Sequence, residues 1–525
     1  MAGAYCARVI RSRSDAYDVV AVGGGPAGAA AAHLLASWGW SVLLVHHAAA
    51  RPALAESLPP STRKLFALAG QLDAVERARF HPNTGNVARW ANASRTTPTE
   101  TPGFHVRRDE FDRVLRGAAA SAHAQIVDGV VRRIDPGDPA RVTYASSDGT
   151  IHVVTARQVL DCSGRTGVVA ARGFRRQDAG YRTLAISAEW ESDAWPRDEH
   201  ERTLVESYAD GWAWSVPLSA TRRQCTVMIE RSRSPDRRRQ GYGGPPKLHA
   251  KADRLALHSI YQREIAKATM IARRVHYARA RRISTPWACD ASIYDCTRAA
   301  DEGVLLVGDG ASFIEPLSSA GVKKALLSAW RAAVVANTTL RHPSLASAAR
   351  DLYTRREREV YVQSMRRSAA FFAEAAAAYG TPFWSVRAER ATRMARAGDP
   401  NGGVEWSDEA LARDAGVRAA FEYLRADEHV RLRSSDSLRF APVAAIEGRE
   451  VVLRDGVVLP GAGPVPFAAG VDLAALARLA RGGCDVPALI AAYHSEVGRV
   501  PLTGLLTGLS LLVAQRALVA EGTAS

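Results

Sequence analysis

Residues 17–45 read YDVVAVGGGPAGAAAAHLLASWGWSVLLV: an apolar strand, a glycine-rich turn, an alanine-rich helix and a second apolar strand. This order predicts a βαβ unit that binds a dinucleotide. Gly23 permits the tight turn, Gly25 lets backbone amides approach a pyrophosphate, and Gly28 allows close packing of helix and strand. We expect these glycines and Ala27 to bind the nucleotide, whose phosphates the helix N-terminus attracts.

The end of the second strand departs from the usual dinucleotide pattern. His46 and His47 stand where that pattern has an acidic residue holding the ribose hydroxyls. A neutral imidazole also donates or accepts a hydrogen bond with a ribose. We therefore predict that His46 contacts the nucleotide; the alternative is a strand-end histidine without a ligand.

Length and composition are those of an ordinary globular protein with two or three hydrophobic cores. The chain has 525 residues, of which 47% are hydrophobic and 23% charged. Its formal net charge of +15 comes mostly from scattered arginines, and the six lysines are Lys64, Lys247, Lys251, Lys267, Lys323 and Lys324. Basic and aromatic residues do not interleave as in nucleic-acid-binding proteins, so we predict no nucleic-acid partner.

Cysteine usage and hydropathy indicate a cytoplasmic protein. The six cysteines show neither a C-x-x-C pair nor a metal-ligand spacing, so we predict no bound metal. The N-terminal residues lack the apolar core of a signal peptide. Residues 502–513 are apolar but interrupted by glycine, threonine and serine, and they are fewer than the roughly 20 that a bilayer requires. We expect a packed terminal helix there and no integral membrane segment.

The order of strand-like and helix-like segments predicts an α/β fold in four parts. Residues 1–180 form the first part of a nucleotide-binding domain, and residues 181–300 form an antiparallel-sheet substrate domain. Residues 301–397 return to the nucleotide-binding domain and add a helical extension. After a linker at Gly398–Gly403, residues 404–525 form a small winged-helix-like module, with a hairpin turning at Asp455-Gly456 and helices over 472–481 and 486–494.

Five further motifs follow one another in order. They are Glu56-Ser-Leu-Pro-Pro60, His105-Val-Arg-Arg-Asp-Glu-Phe-Asp112, Asp161-Cys-Ser-Gly-Arg165, Gly211-Trp-Ala-Trp-Ser-Val-Pro217 and Gly308-Asp-Gly-Ala-Ser-Phe-Ile-Glu-Pro-Leu-Ser-Ser-Ala-Gly-Val322. Together with the glycine-rich turn, they resemble the flavin-dependent halogenase branch of the FAD-dependent monooxygenases, which includes the tryptophan halogenases. The resemblance implies that the nucleotide-binding domain is a Rossmann-type domain for FAD.

The resemblance also implies a place at the flavin for individual residues. Arg108 lies at the FAD pyrophosphate, Asp309 accepts the ribityl hydroxyls, and Glu56 and Ser57 lie where the chain turns towards the flavin. Backbone amides face the isoalloxazine ring, which is anionic when reduced; they belong to the segment containing Ser318, Ser319, Gly321 and Val322. The alternatives are an ordinary arginine at a helix start and turn residues that touch no cofactor.

Trp212 and Trp214 alternate along a strand, so both indoles project from one face. In the family that this chain resembles, such a motif separates the flavin from a substrate chamber. We expect both side chains to line an apolar substrate pocket. The alternative is a pair of core tryptophans, because aromatic strand residues are usually buried.

One residue of the family's pattern is missing from this chain: the lysine with which a halogenase captures hypohalous acid. Counting back from Gly85 and Trp90 puts Asn83 at that place, and an amide does not form a chloramine. We therefore expect a flavin C4a-hydroperoxide to pass oxygen directly to an aromatic ring. The candidate catalytic residues are His81, Asn83 and Ser319, with His81 as the base for a phenolic or indolic proton unless it is a solvated loop residue.

The sequence therefore predicts an FAD-dependent monooxygenase that hydroxylates an indole- or tryptophan-like substrate, free or bound to a peptide or carrier. One dinucleotide pattern is visible, so we expect reduced FAD to come from a separate NAD(P)H-dependent flavin reductase, with dioxygen as the oxidant. Three alternatives stay open: a halogenase whose lysine lies elsewhere, a flavin-holding partner protein without catalysis, and a reductase of isoprenoid chains.

Overall fold

The computed structural model describes residues 15–47, 52–177, 182–231, 251–398, 408–426, 429–461 and 463–521. The chain forms two compact units, residues 1–398 and 399–525. The predicted linker falls at this division, although its residues 399–403 lie outside the described ranges.

Residues 15–177 contain the predicted βαβ unit and the strands that follow it. The strands are β1 (Ala16–Val22), β2 (Val42–His46), β3 (Ala55–Leu58), β4 (His81–Trp90), β5 (Ala93–Arg107), β6 (Gln125–Asp135), β7 (Ala140–Ser146), β8 (Ile151–Asp161) and β9 (Arg175–Arg176). The helices are α1 (Pro26–Ser37), α2 (Thr62–Leu68), α3 (Leu72–Arg77) and α4 (Arg108–Ser121).

Residues 182–398 contain the remaining strands of the first unit and its long helices. The strands are β10 (Thr183–Glu191), β11 (Arg202–Tyr208), β12 (Gly211–Pro217), β13 (Arg222–Glu230), β14 (Arg281–Arg282), β15 (Trp287–Asp290), β16 (Asp295–Cys296), β17 (Ala300–Asp301) and β18 (Val304–Leu306). The helices are α5 (Lys251–Lys267), α6 (Thr269–Tyr277), α7 (Gly321–Arg341), α8 (Ala346–Tyr379) and α9 (Pro382–Gly398).

The nucleotide-binding sheet is built around parallel strands. β1 lies between β2 and β8, and β18 extends the sheet as a parallel neighbour of β8. β1 and β2 are buried apolar runs because helices cover the sheet; α1 packs against both α4 and α7. The carboxyl ends of these parallel strands meet at one edge, where a ligand of such a fold binds. After the second sheet, β18 and α7 thus rejoin the sheet and helices begun by β1 and α1.

The second sheet is larger than the predicted substrate domain. Its order is β14-β10-β13-β12-β11-β4-β5-β3, with β15 also paired to β10. The expectation that this sheet begins at residue 181 is therefore wrong, because β3, β4 and β5 come from residues 55–107. Pairing is largely antiparallel, but β11 runs parallel to β4. One face packs on α5 and α6, and the other contributes to a core with α8 and α9.

The second unit is a mixed α/β module. Its helices are α10 (Asp408–Arg413), α11 (Ala415–Ala426), α12 (Leu473–Leu479), α13 (Val486–Glu496) and α14 (Leu502–Ala514). Its strands are β19 (Arg431–Ser434), β20 (Phe440–Glu447), β21 (Glu450–Leu459), β22 (Gly463–Val465), β23 (Phe467–Ala468), β24 (Val471–Asp472), β25 (Cys484–Asp485) and β26 (Leu518–Ala520).

The predicted hairpin of this module is misplaced. Asp455 and Gly456 lie inside β21, and the chain reverses instead between Glu447 and Glu450. A β-carbon at Gly456 would lie 2.9 Å from the backbone of Pro464 in β22. The glycine therefore allows β22 to approach β21 closely, and it does not form a turn. The apolar terminal segment is the packed helix α14, as predicted. Across the described residues, no helix is both long and apolar enough to span a bilayer.

Candidate functional site

The glycine-rich turn has the geometry of a nucleotide-binding loop. Gly23 has a φ of +107°, and a β-carbon there would lie 2.4 Å from the carbonyl oxygen of Cys162. A β-carbon at Gly28 would lie 1.9 Å from the carbonyl oxygen of Gly23. Gly25 precedes α1 without a side-chain cap, which leaves the first amides of the helix available to an anion.

Two segments distant in sequence close around this loop. A β-carbon at Gly308 would lie 3.0 Å from the β-carbon of Ala27, so the turn after β18 packs directly on α1. His46 ends β2 beside Gly24, whose carbonyl oxygen accepts a hydrogen bond of 2.9 Å from Arg116 Nη1. Burial lowers the pKa of His46, the positive charge of Arg116 lowers it further, and Asp128 opposes the shift. The predicted nucleotide residues therefore lie together, with Arg116 as a neighbour that sequence reasoning missed.

Arg108 is the centre of a charged cluster at the loop. Its Nε and Nη2 bind the two carboxylate oxygens of Asp112 at 3.0 and 3.1 Å, and its Nη1 lies 3.3 Å from Glu56 Oε1. A β-carbon at Gly25 would lie 3.5 Å from Arg108 Nη2, which places the guanidinium against the glycine turn. Burial opposes the charge of Arg108, but Asp112, Glu56 and Asp309 raise its pKa above the usual value. The guanidinium is thus a permanent cation at the place predicted for the pyrophosphate.

Asp309 lies in the turn after β18, held from two sides. Lys324 Nζ lies 3.1 Å from Asp309 Oδ1, and the Tyr294 hydroxyl donates to the Asp309 backbone oxygen at 2.6 Å. The Lys324 side chain is 2% exposed whereas that of Asp309 is 33% exposed, so the carboxylate keeps an open side. This arrangement suits acceptance of hydroxyl hydrogen bonds. Sequence reasoning did not identify Lys324 as a partner of Asp309, because Lys324 belongs to no recognised motif. Its position in the first turn of the helix that follows the Asp309 segment is the pattern that could have indicated it.

The segment predicted to face the isoalloxazine forms a turn followed by a helix. Pro316–Ser318 is a 3-10 turn, Ser319 has a left-handed backbone with a φ of +49°, and α7 begins at Gly321. The Ser318 side chain lies outside the described part of the structure, Ser319 is exposed, and Val322 is buried. Ala320 gives α7 no side-chain cap, so the first amides of that helix stay available. A non-glycine residue in the left-handed region is uncommon and often marks a functional site.

The two strand tryptophans project from one face, as predicted. Their ring centroids are 4.9 Å apart with the planes inclined at 29°. Trp212 is 3% exposed and belongs to a hydrophobic core that includes Trp90 and Trp384, which is the arrangement expected of a core tryptophan. Trp214 is only partly buried and packs at the edge of this core, where Leu317 and Ala320 of the α7 turn also pack. Of the two indoles, Trp214 is therefore the one that keeps an accessible surface.

Asn83 is buried and fully engaged. Its Nδ2 donates to Ser57 Oγ at 3.0 Å and to the Leu58 carbonyl oxygen at 3.1 Å, while its Oδ1 accepts from the Gly85 amide at 3.1 Å. The β4–β5 register shifts between Asn83 and Gly85. The side chain therefore ties β3 to a β-bulge, which is a structural task for this candidate catalytic residue.

His81 and His105 line a large cavity. Their ring centroids are 6.0 Å apart, and the cavity has a volume of about 810 Å³. His81 Nε2 lies 2.7 Å from the His200 carbonyl oxygen, and His105 Nε2 lies 3.0 Å from Thr203 Oγ1. Charged side chains, including Arg107 and Glu189, line the cavity together with Phe80 and Leu218. His81 therefore lines a cavity, as a base would. It lies on β4 opposite His105 of β5, and the cavity lining includes Arg107 but not Arg108.

The residues present fit FAD. The glycine turn leaves no room for β-carbons beside the backbone, Arg108 supplies a cation for phosphate, and Asp309 offers an open carboxylate face. Two uncapped helix starts, of α1 and α7, add amides aimed at negative groups.

Comparison with known proteins places this arrangement in a family. The chain is 27% identical over 381 residues to the tryptophan 2-halogenase of Chondromyces crocatus, which covers 70% of each protein. It is 25% identical over 354 residues to the 1H-pyrrole-2-carbonyl peptidyl-carrier-protein chlorinase of Pseudomonas fluorescens, which covers 60% of this chain and 74% of that protein.

Two solved structures share the fold over almost the whole chain. The flavin-dependent halogenase CmlS superposes with a TM-score of 0.71 at 22% identity, covering 96% of this chain and 95% of that one. The peptidyl tryptophan dihydroxylase QhpG gives 0.66 at 22% identity, covering 95% and 99%. Residues 67–397, more than half of the chain, match the family described as tryptophan halogenase. The chain belongs to that family of flavin-dependent, FAD-using oxidoreductases.

Proposed function

We propose that this protein is an FAD-dependent monooxygenase that adds oxygen to an indole- or tryptophan-like ring. The observation that carries the proposal is Asn83, which stands where the family's halogenases have a lysine. Its amide is committed to Ser57, Leu58 and Gly85. Without an amine there to retain an oxidised halide, oxygen transfer to the ring is the reaction left to an enzyme of this family.

The cofactor requirement follows from the site. Bound reduced FAD supplies the electrons that activate dioxygen, and Arg108, Asp309 and the amides of α1 and α7 are the groups that hold it. A separate flavin reductase in the cytoplasm is the proposed source of reduced FAD, since the nucleotide-binding sheet carries one glycine-rich turn. Trp214, partly buried at the edge of the core that Leu317 and Ala320 also contact, offers a flat apolar surface to an aromatic ring.

The proposal also states whether the aromatic substrate is free or bound to a polypeptide or carrier protein. QhpG is named a peptidyl tryptophan dihydroxylase, and the Pseudomonas fluorescens relative is named for a carrier-bound pyrrole. A tryptophan side chain within a polypeptide is therefore the first substrate to try, followed by free tryptophan and carrier-bound rings.

Halogenation is the second candidate function. Two observations favour it: several relatives are named halogenases, and one lysine, Lys323, lies at the start of α7. Lys323 follows Val322 in the first turn of α7, and its Nζ donates to Ser61 Oγ at 3.0 Å. Burial lowers the pKa of Lys323, and the charge of Arg367 adds to this. No carboxylate forms a salt bridge with Lys323 among the described residues, whereas Lys324 pairs with Asp309. A lowered pKa leaves a larger fraction of the amine unprotonated, and the unprotonated amine is the form that reacts with an oxidised halide.

A single product analysis separates the two candidates. The purified protein, FAD, a flavin reductase and NADH are incubated with a tryptophan-bearing peptide or free tryptophan, with and without chloride or bromide. We expect products heavier by one or two oxygen atoms in both conditions. A halogenated product that disappears in Lys323→Met, but persists in Lys64→Met on the exposed face of α2, would instead establish the second candidate.

A further inference from the structure

The second strand of the nucleotide-binding sheet lacks the acidic residue that usually binds a ribose. In the common dinucleotide pattern, a carboxylate at the end of that strand accepts hydrogen bonds from the ribose hydroxyls. Here β2 ends at His46. A neutral imidazole offers one donor and one acceptor, whereas a carboxylate offers two acceptor oxygens. His46 alone therefore replaces the acidic residue only in part.

A carboxylate lies beside His46 on the next strand. β2 pairs in parallel with β6, and the register places His46 opposite Asp128. Directly paired residues of neighbouring strands project their side chains from the same face of a sheet, and the strands lie about 4.8 Å apart. The Asp128 side chain is exposed and His46 is partly buried. Asp128 can therefore reach the region that the acidic residue of the common pattern serves.

The same region borders the glycine-rich turn. The Gly23 amide donates to the Val45 carbonyl oxygen at 2.7 Å, so the turn adjoins the end of β2. A β-carbon at Gly24 would lie 2.6 Å from the His46 β-carbon and 2.7 Å from Arg116 Cδ. Both side chains thus lie against the turn.

Charge links Asp128 to these two side chains. Burial lowers the pKa of His46 and of Arg116, and the negative charge of Asp128 opposes both shifts. Arg116 Nη1 is held by the Gly24 carbonyl oxygen at 2.9 Å. His46, Arg116 and Asp128 therefore meet at one corner of the turn, the corner where a fold of this kind binds the adenosine ribose of a dinucleotide.

We propose that Asp128 takes over the task of the missing acidic residue and binds the ribose hydroxyls in the adenosine half of FAD. His46 adds one polar contact there, and Arg116 holds the turn through Gly24. A carboxylate at this place also disfavours a ribose that carries a 2′-phosphate, because the two anions repel each other. The inference rests on the proposed function only for the binding of FAD at the glycine-rich turn, and it does not depend on the reaction of the aromatic ring.

Competition between FAD and adenine nucleotides tests the ribose contact without turnover. Flavin fluorescence measures the displacement of FAD from the full-length protein by ADP and by 2′-deoxy-ADP. In the unsubstituted protein, we expect 2′-deoxy-ADP to bind about tenfold more weakly, because a hydrogen bond to a charged group is lost. In Asp128→Ala the two nucleotides should bind within about twofold of each other.

Glu302→Ala is the matched control. Glu302 is an exposed carboxylate that precedes β18, at the amino end of a strand in the same sheet, whereas ligands bind at the carboxyl ends. This variant loses the same charge and should keep the tenfold preference for ADP. The same ratio in Asp128→Ala as in Glu302→Ala would overturn the assignment of Asp128.

A 2′-phosphate provides a measurement in which the loss of Asp128 increases affinity. Adenosine 2′,5′-bisphosphate should bind more weakly than AMP to the unsubstituted protein. In Asp128→Ala, where His46 and Arg116 remain, its affinity relative to AMP should rise about tenfold. General damage to the fold would weaken both nucleotides, so an unchanged ratio would contradict the proposal.

Returning a carboxylate to β2 provides a rescue. The double variant His46→Glu/Asp128→Ala should regain the tenfold preference for ADP over 2′-deoxy-ADP, and a ratio that stays near one would contradict the proposal. Failure of FAD and ADP alike to bind the unsubstituted protein would overturn both this inference and the proposed function. Normal nucleotide ratios without any oxygenated product would end the proposed function alone.

Discussion

Asn83 Nδ2 lies 3.0 Å from Ser57 Oγ, so the side chain that we predict to stand at the family's lysine position is bound to β3. The same amide group makes two further hydrogen bonds, to the Leu58 carbonyl oxygen of β3 and to the Gly85 amide of the β4–β5 bulge. Three hydrogen bonds made by a side chain that is 4% exposed define a structural residue. Asn83 therefore ties β3 to the β4–β5 bulge.

Replacing Asn83 by alanine should destabilise the first unit by roughly 1–3 kcal/mol, because buried partners lose their hydrogen bonds. Urea denaturation followed by tryptophan fluorescence measures the change. Asn86→Ala, at an exposed position on the same strand, is the control and should stay within about 0.5 kcal/mol of the unsubstituted protein. Equal stabilities of the two variants would contradict the structural task assigned to Asn83.

Replacing Gly28 by alanine should abolish or strongly weaken FAD binding. The new β-carbon would lie 1.9 Å from the Gly23 carbonyl oxygen, so α1 must move away from the nucleotide turn. Gly117→Ala in α4 is the control: open space surrounds that position, and alanine there should raise stability by about 0.5–1 kcal/mol. Flavin fluorescence titration measures the affinity. Unchanged FAD affinity in Gly28→Ala would show that this turn does not hold the cofactor.

Stability should fall as the pH drops below about 6.5, in part because of His105. Burial lowers the pKa of His105 well below the ordinary value of 6.5, and the neighbouring His81 and Arg223 lower it further. The unfolded chain then binds a proton that the folded protein does not, so stability is highest above that pH and decreases towards acid, by up to about 1.4 kcal/mol per pH unit for this one group.

His105→Gln removes that titration, and its unfolding free energy should depend less steeply on pH between about 6.5 and 5. Urea denaturation at several pH values provides the comparison, with the exposed His276→Gln as control. A slope in His105→Gln as steep as in the control would mean that His105 is protonated when folded.

The two stacked tryptophans should respond differently to truncation. Trp212→Ala empties a site in the core beside Trp90 and should lower stability by about 3–5 kcal/mol. Trp214→Ala, at the edge of that core, should cost less stability and instead raise KM for the aromatic substrate. Denaturation and steady-state kinetics together test this, and a larger stability loss in Trp214→Ala would reverse the assignment of the two indoles.

Local patterns correctly predicted the strand–helix–strand unit around the glycine-rich turn. Gly23, Gly25 and Gly28 lie within six residues of one another, and the strand and helix around them follow from hydrophobic spacing alone. The misplaced hairpin at Asp455-Gly456 shows the limit of such patterns. The dipeptide is a common turn signal, but here the glycine serves the approach of a third strand, which depends on β22 and not on the two neighbouring residues.

The sequence by itself determined the glycine spacing, the order of strands along the chain and the absence of lysine at position 83. Each of these is a property of a short segment. The tertiary structure decided which side chains meet. Ser57 contacts Thr203 across 146 residues of chain, and Trp212 is buried while Trp214 stays partly open, although both belong to one short strand. Such pairings depend on strand register and on which elements cross a sheet face, and these are set by packing of the whole unit rather than by any local preference.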